Sequence, residues 1–449
     1  MKRIYTFESV LDVVIVGGGV SGLYAAYLLQ QKGLKVQVIE GSARLGGRLQ
    51  TIYTPEGHPV DLGGQWIAPQ HTRLLNWIKV HRIPIHPTYT TGANLLITRN
   101  RRRRYHGSIP RLSALALLDL GWGLARLKRM ARHVSPQSPW QISRPAWDEI
   151  SLATWMRKQF YTKEARKTFA VGLSTVLGCE PEEVSLWHTL FYIQSAGSLE
   201  VLIQTQGGAQ EMKFSQGAQT LVETLSSQVS WVIDEPVRRI IWERRRVQVY
   251  TTKHHYDARV VLLAIPPALT GHIGFEPPLP PSYSQLAQHM PMGSVTKVVA
   301  LYDKPFWREE GLSGHILRLE GGVRVTFDTS PADGSYGQIT GFGVGPNARS
   351  LLRLSPEERQ AYYEAELHSL FGVRPQRLYY KVWAEEPLIG GCYAGYFTPG
   401  GWRYFGESMR RSLPPLYWCG TERSSTWAGY IEGAMAAAEQ ATEDLLQVI

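Results

Sequence analysis

Leu11-Asp-Val-Val-Ile-Val-Gly17-Gly-Gly19-Val-Ser-Gly22 places an apolar strand directly before a G-x-G-x-x-G turn. An Ala/Leu-rich stretch at about 20–31 follows with helical character. A second strand, Lys35-Val-Gln-Val-Ile-Glu40, comes next. Strand, glycine turn, helix and strand make a β-α-β unit. Gly17, Gly19 and Gly22 allow a tight turn and let backbone approach a pyrophosphate at the helix N-terminus. Glu40 ends the second strand 18 residues after Gly22, where a carboxylate accepts hydrogen bonds from ribose hydroxyls. A glycine turn without a ligand is the plain alternative. The register of strand, helix and acid speaks against it.

The next residues separate FAD from NAD. Gly41-Ser-Ala-Arg44-Leu-Gly46-Gly47-Arg48 sets a second glycine pair between two arginines, which extends a phosphate cradle. Asp61-Leu-Gly63-Gly64-Gln65-Trp66 adds a third glycine turn beside an aromatic ring. A plain NAD dehydrogenase has little use for these further phosphate and ring contacts.

The rest of the chain sets the frame. Its 449 residues predict two or three domains with a large core. Apolar residues at 43% and charged residues at 19% exclude a disordered chain. No run of about 18 apolar residues suggests a membrane span, and the early first strand leaves no room for a secretory leader. Three cysteines make no disulfide framework, and no Cys/His cluster has metal spacing, so no metal is expected. A cytoplasmic location follows as the expectation. Residues 145–200 read as helical, 228–265 and 294–301 as strands, and 356–370 and 430–446 as helices.

The net charge of +10 is concentrated. Residues 99–133 hold Arg99, Arg101, Arg102, Arg103, Arg104, Arg111, Arg126, Lys128, Arg129 and Arg132 against one acid, Asp119. A general nucleic-acid-binding surface is therefore not expected. Within this segment Leu117, Leu120, Leu124 and Leu127 form one helical stripe. It reads either as an ordinary surface helix with a solvated basic face, or as a peripheral membrane contact spanning Arg99–Arg132 in which this leucine stripe dips into lipid.

Several ordered motifs resemble the flavin-dependent monoamine oxidases of the FAD amine-oxidase superfamily, from about residue 11 to the C-terminus. They are Glu235-Pro-Val237, Ala264-Ile-Pro-Pro267, Gly293-Ser-Val-Thr-Lys297 before Lys304-Pro-Phe-Trp307, Gly390-Gly-Cys392-Tyr393, and Cys419-Gly-Thr-Glu422 through Trp427-Ala-Gly-Tyr430-Ile-Glu-Gly433. The resemblance implies an α/β fold in which an FAD-binding Rossmann-like domain (1–83, 214–290 and 386–449) interleaves with a mixed-sheet-plus-helices substrate domain (84–213 and 291–385). It implies an oxidoreductase that deaminates a primary amine, with arylalkyl amines in view. The products are an imine, then an aldehyde, and dioxygen gives hydrogen peroxide.

Individual roles follow from the same resemblance. On pattern alone, Lys297 reads as an edge-strand lysine reaching water; the resemblance makes it the residue that holds a water against flavin N5 and assists reoxidation. Tyr393 and Tyr430, 37 residues apart, become the aromatic pair that flanks the amine nitrogen, where the bland alternative is two core tyrosines. Cys392 becomes the thioether attachment point of covalent FAD, where the alternative is a small buried cysteine. Val237 would touch the adenine side through its backbone. Trp383, Gly64, Gln65, Trp66, Thr421 and Glu422 would lie along the cofactor, and the final helix would aim its positive end at the flavin. Gln210 would lie near substrate, although Ala209 is an extra residue beside its glycine pair; Val201 and Leu202 would gate the cavity. For Val201 and Leu202, core packing is at least an equal alternative.

Animal relatives continue into a membrane-spanning tail, whereas this sequence ends at Ile449, so a soluble or peripherally bound protein is expected. An L-amino-acid oxidase would need a cation for the carboxylate, and a polyamine oxidase an acidic tunnel; neither is visible in the sequence. A non-catalytic flavin-binding protein would not need Lys297, Tyr393 and Tyr430 together. The oligomeric state is not legible.

Overall fold

The computed structural model describes residues 10–99, 101–244 and 246–449. Leu11–Val16 forms the parallel centre of an eight-stranded sheet, with Val36–Ile39 on one side and His255–Leu263 on the other. Its near-continuous apolar run follows from burial on both faces. One face is covered by the helix Val20–Gln30, which packs on the C-terminal helix Ile431–Leu446. A second apolar cluster containing Val14, Val16 and Val261 fills the other face. Residues 228–265 supply Trp231–Val232, Val237–Glu243, Arg246–Thr251 and His255–Leu263 to this sheet, as their alternation predicts.

A seven-stranded mixed sheet carries the other half of the site. Val295–Tyr302 lies inside it, paired antiparallel to both Gly337–Val344 and Arg377–Val382, with all eight residues buried. Lys297 is thus not an edge residue, which removes its solvent-reaching alternative. The helices between residues 114 and 203 pack around the largest apolar cluster, which reaches this sheet at Leu96, Leu317 and Val325. The mixed α/β architecture agrees with the fold expected from sequence.

The basic segment differs from its expectation in one respect. Arg101–Tyr105 is a strand and Ala114–Ala131 a helix. Most of the expected lipid-facing stripe points inward: Leu120 and Leu127 are buried and Leu124 partly so, while Leu117 stays 38% exposed. Leu115, Leu118 and Trp122 are the most exposed large apolar residues of that helix. Periodicity gave two apolar stripes on one helix, and packing against the neighbouring helices selected the other one. Among the described residues no helix is long and apolar enough to cross a membrane.

Candidate active site

The turn after the first strand is built for close approach. Gly17 has φ of +110°, and a Cβ on Gly22 would stand 2.0 Å from the Gly17 carbonyl oxygen. Gly22 therefore serves helix–turn packing and does not line the cavity. Gly19 faces Gly47, and a Cβ there would meet only the Gly47 Cα at 3.9 Å, leaving open space. Gly19 starts the helix with no side-chain cap and no acid in its first turn, so the first N–H groups are free for an anion. Glu40 braces the turn, accepting from the Gly18 and Ser42 N–H groups at 2.7 and 2.8 Å.

These residues border one cavity of about 380 Å³ that runs between the two sheets. It brings together Gly17, Gly19, Glu40, Arg44, Gly47, Arg48, Gly64, Gln65, Trp66, Trp383, Cys392 and Thr421 with Lys297, Tyr393, Tyr430, Gln210 and Leu202. Val201, Val237 and Glu422 stay outside its wall. Val201 packs from the edge onto the helical core. Val237 opens a sheet strand at an irregular register with Thr251.

Both arginines are engaged by the protein itself. Arg44 donates to the Gly47 and Leu49 carbonyls, both at 2.8 Å, and so ties the second glycine loop. Arg48 forks onto Glu422 at 2.5 and 3.1 Å and donates to the Tyr393 carbonyl at 2.9 Å. Burial alone would raise the Glu422 carboxyl, but the Arg48 charge and hydrogen bonds hold it below the usual range. Arg48 is therefore a neutralised clasp between distant loops, and less a free phosphate ligand than its sequence position suggests.

Lys297 is 2% exposed. Its Nζ donates to Gln65 Oε1 at 2.5 Å and to the Gly63 carbonyl at 2.9 Å. It lies 5.7 Å from the Trp66 ring centroid. Burial, reinforced by nearby Lys213, lowers its pKa to about 7 against a smaller opposing pull from Asp61. Lys213 was not singled out in the sequence; it is also buried, with its pKa lowered to about 8 by burial.

Cys392 and Tyr393 are joined by a cis peptide bond. The buried Cys392 thiol is pushed up to about 12 by burial, partly offset by Arg48 and Lys297. Tyr393 packs edge-on against Phe342 at 5.9 Å, and Tyr430 against Trp427 at 5.0 Å. Tyr430 opens the C-terminal helix, whose Ile431 and Ala434 line the cavity. The acid in that helix's first turn, Glu432, is turned away to the Leu74 and Arg73 N–H groups at 3.0 and 3.2 Å. Gln210 Nε2 reaches the Leu202 carbonyl at 3.4 Å.

The charged lining consists of Glu40, Arg44, Arg48, Glu386 and Lys297. The remainder is aromatic, aliphatic or neutral polar, and includes Tyr192, Phe327, Phe342 and His315. His315 was not anticipated, because a lone histidine in a strand carries no local signal. Its Nδ1 lies 3.0 Å from the Thr326 carbonyl and so bears the hydrogen, which leaves Nε2 as an acceptor. Burial lowers its pKa to about 4.

A dinucleotide flavin fits this arrangement. The open Gly19–Gly47 cradle at an uncapped helix start suits a pyrophosphate. Gln65 Nε2 and Trp66 Nε1 are buried donors without partners, in a wall that a flavin's acceptors would face. Among the described residues no cluster has the composition of a metal site.

Comparison with known proteins agrees. The family model for flavin-containing amine oxidoreductases matches residues 20–446. A Mycobacterium tuberculosis protein bearing the name of a flavin-containing monoamine oxidase is 35% identical, covering 98% of this chain and 97% of its own. The structure of cyclohexylamine oxidase from Brevibacterium oxydans superposes with a TM-score of 0.93 at 28% identity, covering 98% of this chain and 99% of that one. Wild-type putrescine oxidase bound to putrescine gives 0.91 at 28% identity with the same coverage. With the nucleotide turn, the flavin-compatible cradle and a near full-length match in hand, the chain belongs to the flavin-containing amine oxidoreductase family.

Proposed function

We propose that the chain is an FAD-dependent oxidase of primary monoamines, arylalkyl amines foremost, that forms an imine, then an aldehyde, and hydrogen peroxide. The observation that carries this reading is the commitment of every charged group in the cavity lining except Lys297. Among the described lining residues, Glu40 is held by the Gly18 and Ser42 N–H groups and Glu386 by Lys381, while Arg44 is held by the Gly47 and Leu49 carbonyls and Arg48 by Glu422, so no uncommitted carboxylate is left for a polyamine and no uncommitted guanidinium for an amino-acid carboxylate.

Flavin, when bound, accepts the two electrons and the α-hydrogen of the amine and hands the electrons to dioxygen. The chain's own residues do the rest. The rings of Tyr393 and Tyr430 would wall the amine nitrogen, orient its lone pair and exclude water. Lys297, near its midpoint at neutral pH, would hold and release a proton during reoxidation. Gln210 and Leu202 would contact the amine's substituent, and Cys392 would tether the cofactor as a thioether. The two large sheets, each with its own apolar clusters, support a division into interleaved FAD-binding (1–83, 214–290, 386–449) and substrate (84–213, 291–385) units; residues 1–9 lie outside the described residues.

One observation favours a second reading. His315 Nε2 is an acceptor in the otherwise apolar wall, and it could take the far ammonium of a short diamine. Peroxide release measured with an arylalkylamine, an aliphatic diamine, a polyamine and an L-amino acid separates these readings. The monoamine reading expects turnover dominated by the arylalkylamine, with one aldehyde per peroxide. Dominance of the diamine selects the second reading, and turnover of the amino acid alone refutes both.

A further inference from the structure

The helix Ala114–Ala131 presents an outward stripe distinct from the one that packs inward. Leu115, Leu118 and Trp122, then Arg126 and Arg129, recur at i, i+3, i+7, i+11 and i+14. Leu115 and Leu118 are 73% exposed and Trp122 is 68% exposed. Tyr161, 92% exposed, stands beside them, its backbone N–H donating to Asp119 of the same helix. The acid also accepts from Thr162, so the helix's one carboxylate is turned toward protein and away from the stripe. Consecutive exposed Leu, Leu and Trp on one face mark a contact surface.

Past Trp122 the stripe enters a surface cleft of about 350 Å³ lined by Trp122, Arg126, Arg129, His133, Arg144 and Trp147. Among the described residues the segment's ion pairs are Arg103 with Glu164 and Lys128 with Glu200. Arg126, Arg129 and Arg144 have none. Three unpaired guanidinium groups around one cleft, between two indole rings, suit a phosphate monoanion or diester.

We propose that this face docks on an anionic lipid bilayer, with Leu115, Leu118 and Trp122 entering the interface and the arginine cleft receiving a phospholipid headgroup. The order of the groups argues for this occupant. An apolar ridge flanked by arginines and aromatic rings matches acyl chains below and phosphates above. The inward face of the same helix contributes Leu120 and Leu124 to the large cavity, and Ile109, exposed and also cavity-lining, sits at the rim. Docking would therefore bring the cavity's rim to the lipid surface, where amphiphilic amines concentrate.

The test is co-sedimentation of the purified flavoprotein with vesicles of phosphatidylcholine alone or mixed with phosphatidylglycerol. The expected result is binding to the anionic vesicles only, reduced by about 0.5 M salt. Arg126→Glu with Arg129→Glu lowers binding about tenfold or more, and Leu118→Ser with Trp122→Ser lowers it comparably. In both double variants, flavin absorbance and vesicle-free turnover are unchanged, which reports intact folding. Equal binding to neutral vesicles, or binding to neither, overturns the proposal. So does a dimer in sedimentation velocity that Trp122→Ser dissociates, since the ridge would then be a self-interface.

Discussion

Lys297 Nζ and Gln65 Oε1 meet at 2.5 Å across 232 residues of sequence, joining the inner strand of one sheet to the glycine turn of the other half. With the Gly63 carbonyl at 2.9 Å, this contact holds a buried amine against the wall proposed for the flavin. Lys297→Met removes the amine and keeps its length. The reduction of flavin by amine should change little, while reoxidation by dioxygen should slow about 10²-fold. Stopped-flow measurement of each half-reaction checks this; equal slowing of both contradicts the role.

The same lysine makes a stability prediction with a definite sign. Its folded pKa is about 7, below the value of 10.5 for the free side chain. Between these pH values the unfolded chain binds a proton that the folded chain does not. Stability therefore rises with pH across that window. Wild type should gain stability relative to Lys297→Met from about pH 7 to about pH 10, as read by denaturant midpoints. A difference that is flat or falls with pH would contradict a buried, destabilised ammonium.

Cys392 carries the covalent prediction. Acid precipitation of wild type should leave flavin absorbance in the pellet, and Cys392→Ser should release it to the supernatant. Because burial pushes the thiol up to about 12, the thiolate fraction grows about tenfold per pH unit through the neutral range. Attachment to added FAD in apoprotein should accelerate accordingly. Flavin that wild type releases on precipitation would leave Cys392 as a buried thiol only.

Arg48 and Glu422 form a largely buried pair, the carboxylate 1% and the arginine side chain 23% exposed. Glu422→Gln leaves the guanidinium without its counter-charge and should cost about 2–4 kcal/mol, below the range for a fully buried pair because Arg48 keeps some solvent contact. Equilibrium denaturation measures this, and flavin retention should fall in parallel because Arg48 also holds the Tyr393 carbonyl. A loss below about 1 kcal/mol would mean that solvent or a phosphate already compensates Arg48.

Tyr393 and Tyr430 should tolerate phenylalanine and not alanine. The rings' faces, and not their hydroxyls, are proposed to orient the amine. Tyr430→Phe should keep kcat/KM within a few-fold, while Tyr430→Ala should lower it about 10²-fold. Similar losses in both variants would assign the role to the hydroxyl, which already interacts with Tyr192.

The β-α-β unit was legible in the sequence because its determinants are local: an apolar run, glycines at fixed offsets, and an acid at the next strand's end. Lys297, Tyr393 and Cys392 were legible only through ordered motifs, and their partners were not. Gln65 lies 232 residues from Lys297, and Glu422 lies 374 from Arg48. No period or propensity links such positions, so the neutralisation of Arg48 emerged only in three dimensions. The helix Ala114–Ala131 shows a different limit. Leu115–Leu118–Trp122 and Leu117–Leu120–Leu124–Leu127 are both valid apolar stripes, and only the neighbouring helices decide that the second is buried, from Leu120 onward. His315 and Lys213 gave no signal, since each is a single basic strand residue with no motif around it.

The central claim, an oxidase for primary monoamines, is tested most directly by anaerobic mixing of the purified flavoprotein with an arylalkylamine, an aliphatic diamine, a polyamine and an L-amino acid, following loss of oxidised flavin absorbance. The account predicts rapid bleaching by the arylalkylamine, and slow or no bleaching by the polyamine and the amino acid. Bleaching by the amino acid alone would contradict it, since the cavity would then have to hold a carboxylate for which its described wall offers no guanidinium beyond Arg44 and Arg48.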